Sequence, residues 1–234
     1  MNRNIHSTPS NSIIPLRHTI STHLPSGIRT LPNFYSVDFH GKVIEVTVAK
    51  KAAHVHQWIS HIRYVNRPRH HCKLLVGLDT ECCPNFSRGE DHLVAVLQLC
   101  VGQHCLIFQL LHTDSIPASL YAFLADPWHT FCGVGVQEDA KKLYDHHSLH
   151  VRNVTDLNEL ITRSVSANDG SENRHMGLSK MALAILGKEM MKPEQVKLSK
   201  WDSFILDLDQ VEYATINAFV SFQIASALCL WNVD

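Results

Sequence analysis

A chain of 234 residues with 45% hydrophobic and 18% charged residues can bury an ordinary globular core, which excludes the collagen-like, disordered and disulfide-scaffold classes. Its 21 basic and 22 acidic residues leave a formal charge of −1, so no broad basic surface marks a nucleic-acid binder and only a local site can carry that function. No apolar run approaches the roughly 20 residues of a membrane span.

The first 33 residues hold no Asp or Glu, and carry Arg3, Arg17 and Arg29 among many Ser, Thr and Pro. Such a stretch reads as a disordered tail, with an organellar targeting segment as the alternative. From there a single domain is expected over residues 34–232. YSVDFH and KVIEVTVA flank His40-Gly41 and predict a hairpin. Val55, Trp58, Ile59 and Ile62 fall at helical spacing within 52–64. KLLVGLDTE reads as a central strand, and LVAVLQLCVG with HCLIFQL as two more, joined by a turn at Gly102-Gln103. Next come a helix over 116–124, a strand in TFCGVGV, a helix starting at Gln137, a brief strand in VRNVTDL, and a helix through Leu160 and Ile161. Residues 165–176 are polar and predict a loop; helices over 178–186 and 210–230 complete the chain. Strands first, then strands alternating with helices, predict an α/β domain with a mixed sheet flanked by helices.

The seven cysteines are odd in number and sit mostly in apolar runs, as buried thiols of an intracellular protein do. His70, His71, Cys72, Cys82 and Cys83 lack the paired spacing of a zinc site. The chemistry gathers elsewhere. Asp79 and Glu81 stand at i and i+2 near the end of an apolar strand, so both carboxylates point to one face and offer hard oxygens for magnesium or manganese. By itself a DxE pair also caps many solvated turns. Gly133-Val134-Gly135 turns a strand into a helix, with Asp139 in its first turn, where a carboxylate also simply complements the helix dipole. Tyr213 and Asn217 lie four apart and share a face of the last helix.

This order, DxE then GxGxxxD then YxxxN, resembles the DnaQ-like DEDD exonuclease superfamily, in the tyrosine-bearing branch that includes RNase D and the Werner-syndrome exonuclease domain. Thr155-Asp156-Leu157, Gly177-Leu178-Ser179 and Lys197-Leu198-Ser199-Lys200-Trp201-Asp202 are similar to further segments of that family, and the opening YSVDFHGKVIEVTV most resembles small plant Werner-exonuclease-like proteins. The resemblance spans about residues 35–232. It implies a ribonuclease H-like mixed sheet of five to six strands, two divalent metal ions (Mg2+ or Mn2+), and removal of nucleotides from the 3′ end of single-stranded RNA or DNA. On that pattern Asp79 would bridge both metals, Glu81 would bind the first and Asp139 the second. Tyr213 would position the attacking water, and Leu178 and Trp201 would help shape the surroundings of the terminal nucleotide, Trp201 either by stacking on it or by packing; Lys200 is a further nucleic-acid-binding candidate.

One position departs. Asn217 stands where the family carries its last metal-binding aspartate, so this ligand is weakened by the loss of one negative charge. Two expectations follow: an active exonuclease, or a catalytically impaired relative acting as a nucleic-acid-binding or assembly subunit. Lys141, Lys142, His146 and His147 read as surface groups rather than site residues, while Lys192, Lys197 and Lys200 are candidates to guide a strand. Location in the cytoplasm or nucleus and an open question of homo-oligomerisation complete the expectations.

Overall fold

In the computed structural model, residues 20–22, 33–66, 73–82, 93–165 and 175–230 are described. The predicted hairpin forms from β2 (Asn33–Phe39) and β3 (Lys42–Ala49). His40 and Gly41 both have positive φ, 51° and 77°, the geometry that lets a two-residue turn follow strand twist. Asp38 Oδ1 accepts the Gly41 N–H at 3.2 Å and closes it. Helix α1 (Ala52–Val65) follows, burying Val55, Trp58, Ile59 and Ile62 as their spacing requires.

The central strands are β4 (Leu75–Cys82), β5 (Val94–Val101) and β6 (His104–Gln109). All eight residues of β5 are buried, because helices cover both faces of the sheet at its centre. A 3₁₀ turn (Leu110–His112), α2 (Ala118–Leu124), β7 (Thr130–Gly133), α3 (Val136–His147), β8 (Val154–Asp156) and α4 (Leu157–Val165) come next. Helices α5 (Leu178–Leu186), α6 (Glu194–Lys197) and α7 (Leu208–Leu230) complete the order.

Together with β1 (Ile20–Thr22), these strands form one mixed sheet in the order β1-β2-β3-β6-β5-β4-β7-β8. The expected five to six strands are therefore eight. The surplus lies at the edges: β8 is the brief strand read in VRNVTDL, while the three-residue β1 is too short to leave a periodic signal. Strand β1 pairs with β2 and falls inside the stretch expected to be a tail; the rest of residues 1–32 lies outside the described residues. Most of the predicted loop over 165–176 lies outside them too. The two hairpins meet through a parallel β3–β6 pairing, so the first half is not uniformly antiparallel.

Each face carries its own core. One holds Trp58, Leu97, Leu99, Phe123 and Phe131 beneath α1, α2 and α3; the other holds Ile107, Met181, Ala214, Ala218 and Phe219 beneath α5 and α7. Helix α7 crosses β4 backbone to backbone: a Cβ on Gly77 would stand 1.9 Å from the Ala218 carbonyl oxygen. The start of α7 is set by a reciprocal cap. Asp207 Oδ1 accepts the Gln210 N–H at 2.8 Å, and Gln210 Oε1 accepts the Asp207 N–H at 3.0 Å, which adds two residues to the helix predicted from position 210. No helix among the described residues is long and apolar enough to cross a membrane.

Candidate active site

Backbone contact at Gly77 brings α7 down onto β4 two residues before Asp79, so Tyr213 and Asn217 arrive over the strand's acidic end. Asp79 and Glu81 occupy one face of β4, as their spacing requires. Thr80 between them points the other way and donates its hydroxyl to Asp139 Oδ1 at 2.6 Å. Asp139 rides in the first turn of α3, which begins where Gly135 adopts φ 73°, ψ 19°. Asp156 fixes that turn: its Oδ2 accepts the Gly135 N–H at 2.6 Å and its Oδ1 the Asn158 N–H at 2.8 Å. The Thr155-Asp156-Leu157 segment thus holds the loop that carries Asp139.

The three carboxylates are partly buried and feel one another. Burial pushes Asp79 up to about 6, against the pull of Lys192, the Thr80 N–H and a hydrogen bond from Asn217. Burial, then the charges of Asp79 and Asp139, push Glu81 up to about 9, although Lys192 and Lys197 oppose them. Asp139 rises to about 7 through burial and the Asp79 charge, held back by the Thr80 hydroxyl and Lys142. Burial and the Glu81 charge push the Tyr213 phenol up to about 12, so at neutral pH it keeps its proton.

Asn217 is buried at 2% exposure and hydrogen-bonds to both Asp79 and Tyr213, while its Oδ1 has no partner. Across the strand, Gln98 is the register partner of Asp79; it too is fully buried, with Oε1 unpartnered. Among the described residues no three His, Cys, Asp or Glu side chains are already drawn around one point that could hold a metal ion. The donor set nevertheless fits a hard cation. Three carboxylates lie above their ordinary range through burial and, for Glu81 and Asp139, the charge of their neighbours, and two buried amide oxygens beside Asp79 lack any donor.

Of the other predicted residues, Leu178 is buried against the α7 core. Trp201 is not available to a nucleotide: it is fully buried, donates its indole N–H to the Lys197 carbonyl at 3.2 Å, and packs 5.9 Å from the Tyr213 ring. It stiffens Tyr213 from behind, because a ring this large in the core gains more from packing than from exposure. Lys200 is exposed, and Lys192 and Lys197 are the ammonium groups whose field reaches Glu81. Lys141 pairs with Asp145 at 3.7 Å on the solvated face of α3. His146 and His147 bracket the backbone of Val94, at 3.1 Å to its N–H and 2.8 Å to its carbonyl. Thr80 and Gln98 were not legible as site residues, their only sequence signal being adjacency to Asp79 in the chain or across a strand pair; Asp156 was marked only as part of the Thr155-Asp156-Leu157 segment, without the role it has at the Gly135 turn.

A family model described as 3′-5′ exonuclease matches residues 47–230. A 3′-5′ exonuclease of Arabidopsis thaliana is 28% identical over 155 residues, covering 65% of this chain and 52% of that protein. The bifunctional 3′-5′ exonuclease/ATP-dependent helicase WRN of Mus musculus is 26% identical, covering 66% of this chain and 11% of that protein. The chain thus spans about half, or far less, of these relatives' length. Among solved structures, Escherichia coli RNase D superposes with a TM-score of 0.64 at 18% identity, covering 80% of this chain and 44% of that one. The EXO domain of Aedes aegypti Nibbler gives 0.64 at 17% identity, covering 80% and 88%. The fold is accordingly that of RNase D-like, ribonuclease H-like exonuclease domains, and by its matched family model the chain belongs to the 3′-5′ exonuclease family.

Proposed function

We propose that the chain is a 3′–5′ exonuclease that removes nucleotides from the end of single-stranded RNA or DNA, using two divalent metal ions held by Asp79, Glu81, Asp139 and the Asn217 amide oxygen. The observation that carries this reading is the acidic cluster itself: partly buried carboxylates on β4 and α3, raised in pKa by burial and by one another's charge at Glu81 and Asp139, beneath a protonated tyrosine on α7. When bound, magnesium or manganese would supply charge to stabilise phosphodiester cleavage and acidify the attacking water.

The chain's own residues prepare that chemistry. Tyr213, still protonated at neutral pH, can hydrogen-bond the attacking water and orient it. Trp201 and Asn217 fix the phenol in place, one by packing and one by hydrogen bond. Thr80 holds Asp139, and Asp156 holds the turn before it. Lys192 and Lys197 add positive potential that favours an approaching phosphate.

A second reading rests on Asn217. Its amide already satisfies Asp79 and Tyr213 and brings no charge, which favours a weakened centre that still binds a strand. The decisive experiment incubates the protein with 5′-labelled single-stranded RNA and DNA, in Mg2+ and in Mn2+, beside Asp79→Ala and Asn217→Asp. A 3′-to-5′ ladder from the native chain that vanishes in Asp79→Ala supports the enzyme. A ladder from Asn217→Asp alone supports the impaired relative, and silence from all three removes the nuclease reading.

A further inference from the structure

Most exposed aromatic rings are mobile, but Phe204 is 63% exposed and fastened on several sides. Its carbonyl accepts the Lys50 ammonium at 2.8 Å and the Gln109 amide at 3.4 Å. Gln109 also donates to the Ser203 carbonyl at 2.9 Å, and the His112 ring nitrogen meets the Asp202 carbonyl at 2.7 Å. The ring is gripped as well. The Lys50 ammonium sits 3.6 Å from its centroid over one face, and His112 meets it edge-on at 5.3 Å. The rest of the ring, with Ile205 beside it at 70% exposure, is left to solvent.

The place of this platform follows from strand register. Glu81 pairs with Val96, and Val96 pairs with Gln109, so the three side chains stand in one row on one face of the sheet. Two strand spacings separate Gln109 from Glu81, about 10 Å. Gln109, at 1% exposure, spends its buried amide on tethering Ser203 and Phe204. The backbone of the exposed ring is thereby tethered to a residue of the Glu81 row, with a cation and an imidazole at the ring's side.

We infer that Phe204 is a base-stacking subsite for the single strand leading away from the terminal nucleotide, with Lys50 and His112 fixing the ring and Lys50 offering positive charge to the strand. This rests on the exonuclease reading and extends it to the nucleotides beyond the cleaved bond. An aromatic face stacks any base, which suits an enzyme that must advance along varied sequence. A ring already immobilised loses little freedom on binding. Lys50 over the face makes it electron-poor and keeps a cation within reach of the strand's phosphates.

The test uses the full chain with Ca2+ in place of the reactive metals, a fluorescein-labelled 12-nucleotide oligo(U) or oligo(dT), and thymidine 5′-monophosphate as a ligand confined to the terminal position. Phe204→Ala weakens the 12-mer five- to fifty-fold and leaves the mononucleotide within two-fold. Phe204→Trp restores the 12-mer, and its indole fluorescence is quenched when the oligonucleotide binds. A 12-mer affinity unchanged in Phe204→Ala, or an unquenched indole in Phe204→Trp, overturns the subsite. So does a change in sedimentation mass on Phe204→Ala with binding intact, which assigns the ring to a protein contact. If the native chain binds neither ligand and cleaves nothing in Mg2+ or Mn2+, it is the exonuclease reading that fails.

Discussion

Asn217 donates its side-chain amide to Asp79 while its own Oδ1 lies buried without a partner. A carboxylate at 217 would face Asp79 with like charge and would need a cation between them. The amide does the opposite: it ties α7 to β4 with no cation required. On the two-metal proposal, position 217 would trade metal affinity for stability of the metal-free fold.

Asn217→Asp is expected to reverse that trade. Without metal it removes a hydrogen bond to a charged acceptor and adds a buried charge, lowering stability by about 2–3 kcal/mol. Mn2+ then stabilises the variant more than the native chain, because binding adds RT ln(1 + [L]/Kd) to the folded state. Denaturant unfolding with EDTA and with Mn2+ checks both halves; a variant as stable as the native chain in EDTA refutes the trade.

Thr80 contributes through one hydroxyl. Thr80→Val keeps shape and β-propensity but removes the 2.6 Å hydrogen bond to Asp139. A hydrogen bond to a charged group contributes about 1.5–3 kcal/mol, so a loss of that size is expected in urea unfolding at pH 8. Thr80→Ser, which retains the donor, is expected to recover most of it.

Gln98 is expected to behave unlike an ordinary core residue. Its unpartnered Oε1 carries a desolvation penalty of about 1–3 kcal/mol in the metal-free fold. Gln98→Met, close in volume and free of that penalty, leaves stability unchanged or raises it. A large loss of stability would show that the amide oxygen has a partner that stabilises the fold.

Acid sensitivity is expected to trace partly to His129, far from the acidic cluster. It is 4% exposed, its ring is tilted against Phe123 at 4.9 Å, and its polar neighbours are the Trp128 backbone and the Asp126 carboxylate. Burial lowers its pKa, outweighing Asp126 at 3.6 Å, while Arg63 pushes it down further. A histidine depressed in the folded state binds protons preferentially when unfolded, near pH 6.5. Stability is thus full above about pH 6.5 and falls as the pH drops from there through the depressed folded value, by at most ~1.4 kcal/mol per pH unit. His129→Phe flattens that limb, whereas His147, also lowered by burial, keeps its own share. Equal slopes in the native chain and the variant would assign the sensitivity elsewhere.

What was legible in the sequence was whatever repeats or neighbours along the chain. The β2–β3 hairpin, α1 and β4–β6 announced themselves because a period of two or 3.6 residues, or a continuous apolar run, records which face is buried. Asp79, Glu81, Asp139, Tyr213 and Asn217 were legible as an ordered motif, and the fold brings the groups that hold them within electrostatic reach. The edge strand β1, of three residues, was too short to impose a pattern, whereas β8 was legible as the brief strand in VRNVTDL. Gln98 and Thr80 were hidden because only strand register and alternation show that one lies beside Asp79 and the other reaches Asp139. Trp201 was undecided in the sequence for a related reason: a tryptophan near a site has the same letter whether it faces a base or the core, and here Tyr213 and the Lys197 carbonyl claim it.

That difference has a measurable consequence. If Trp201 stacked on nucleotides, shrinking it would cost strand affinity and leave the fold alone. Buried as it is, Trp201→Phe removes packing volume behind Tyr213 and leaves the Lys197 carbonyl without its indole donor. The expected loss is about 1–3 kcal/mol of stability. Binding of a labelled 12-nucleotide strand in Ca2+ is expected to stay within two-fold of the native value at a temperature where the variant is folded. Turnover falls more than binding, because Tyr213 is less firmly held and positioning errors act on the reacting geometry rather than on the ground state. A variant that keeps its melting temperature but loses strand affinity would return Trp201 to the nucleotide and detach it from Tyr213.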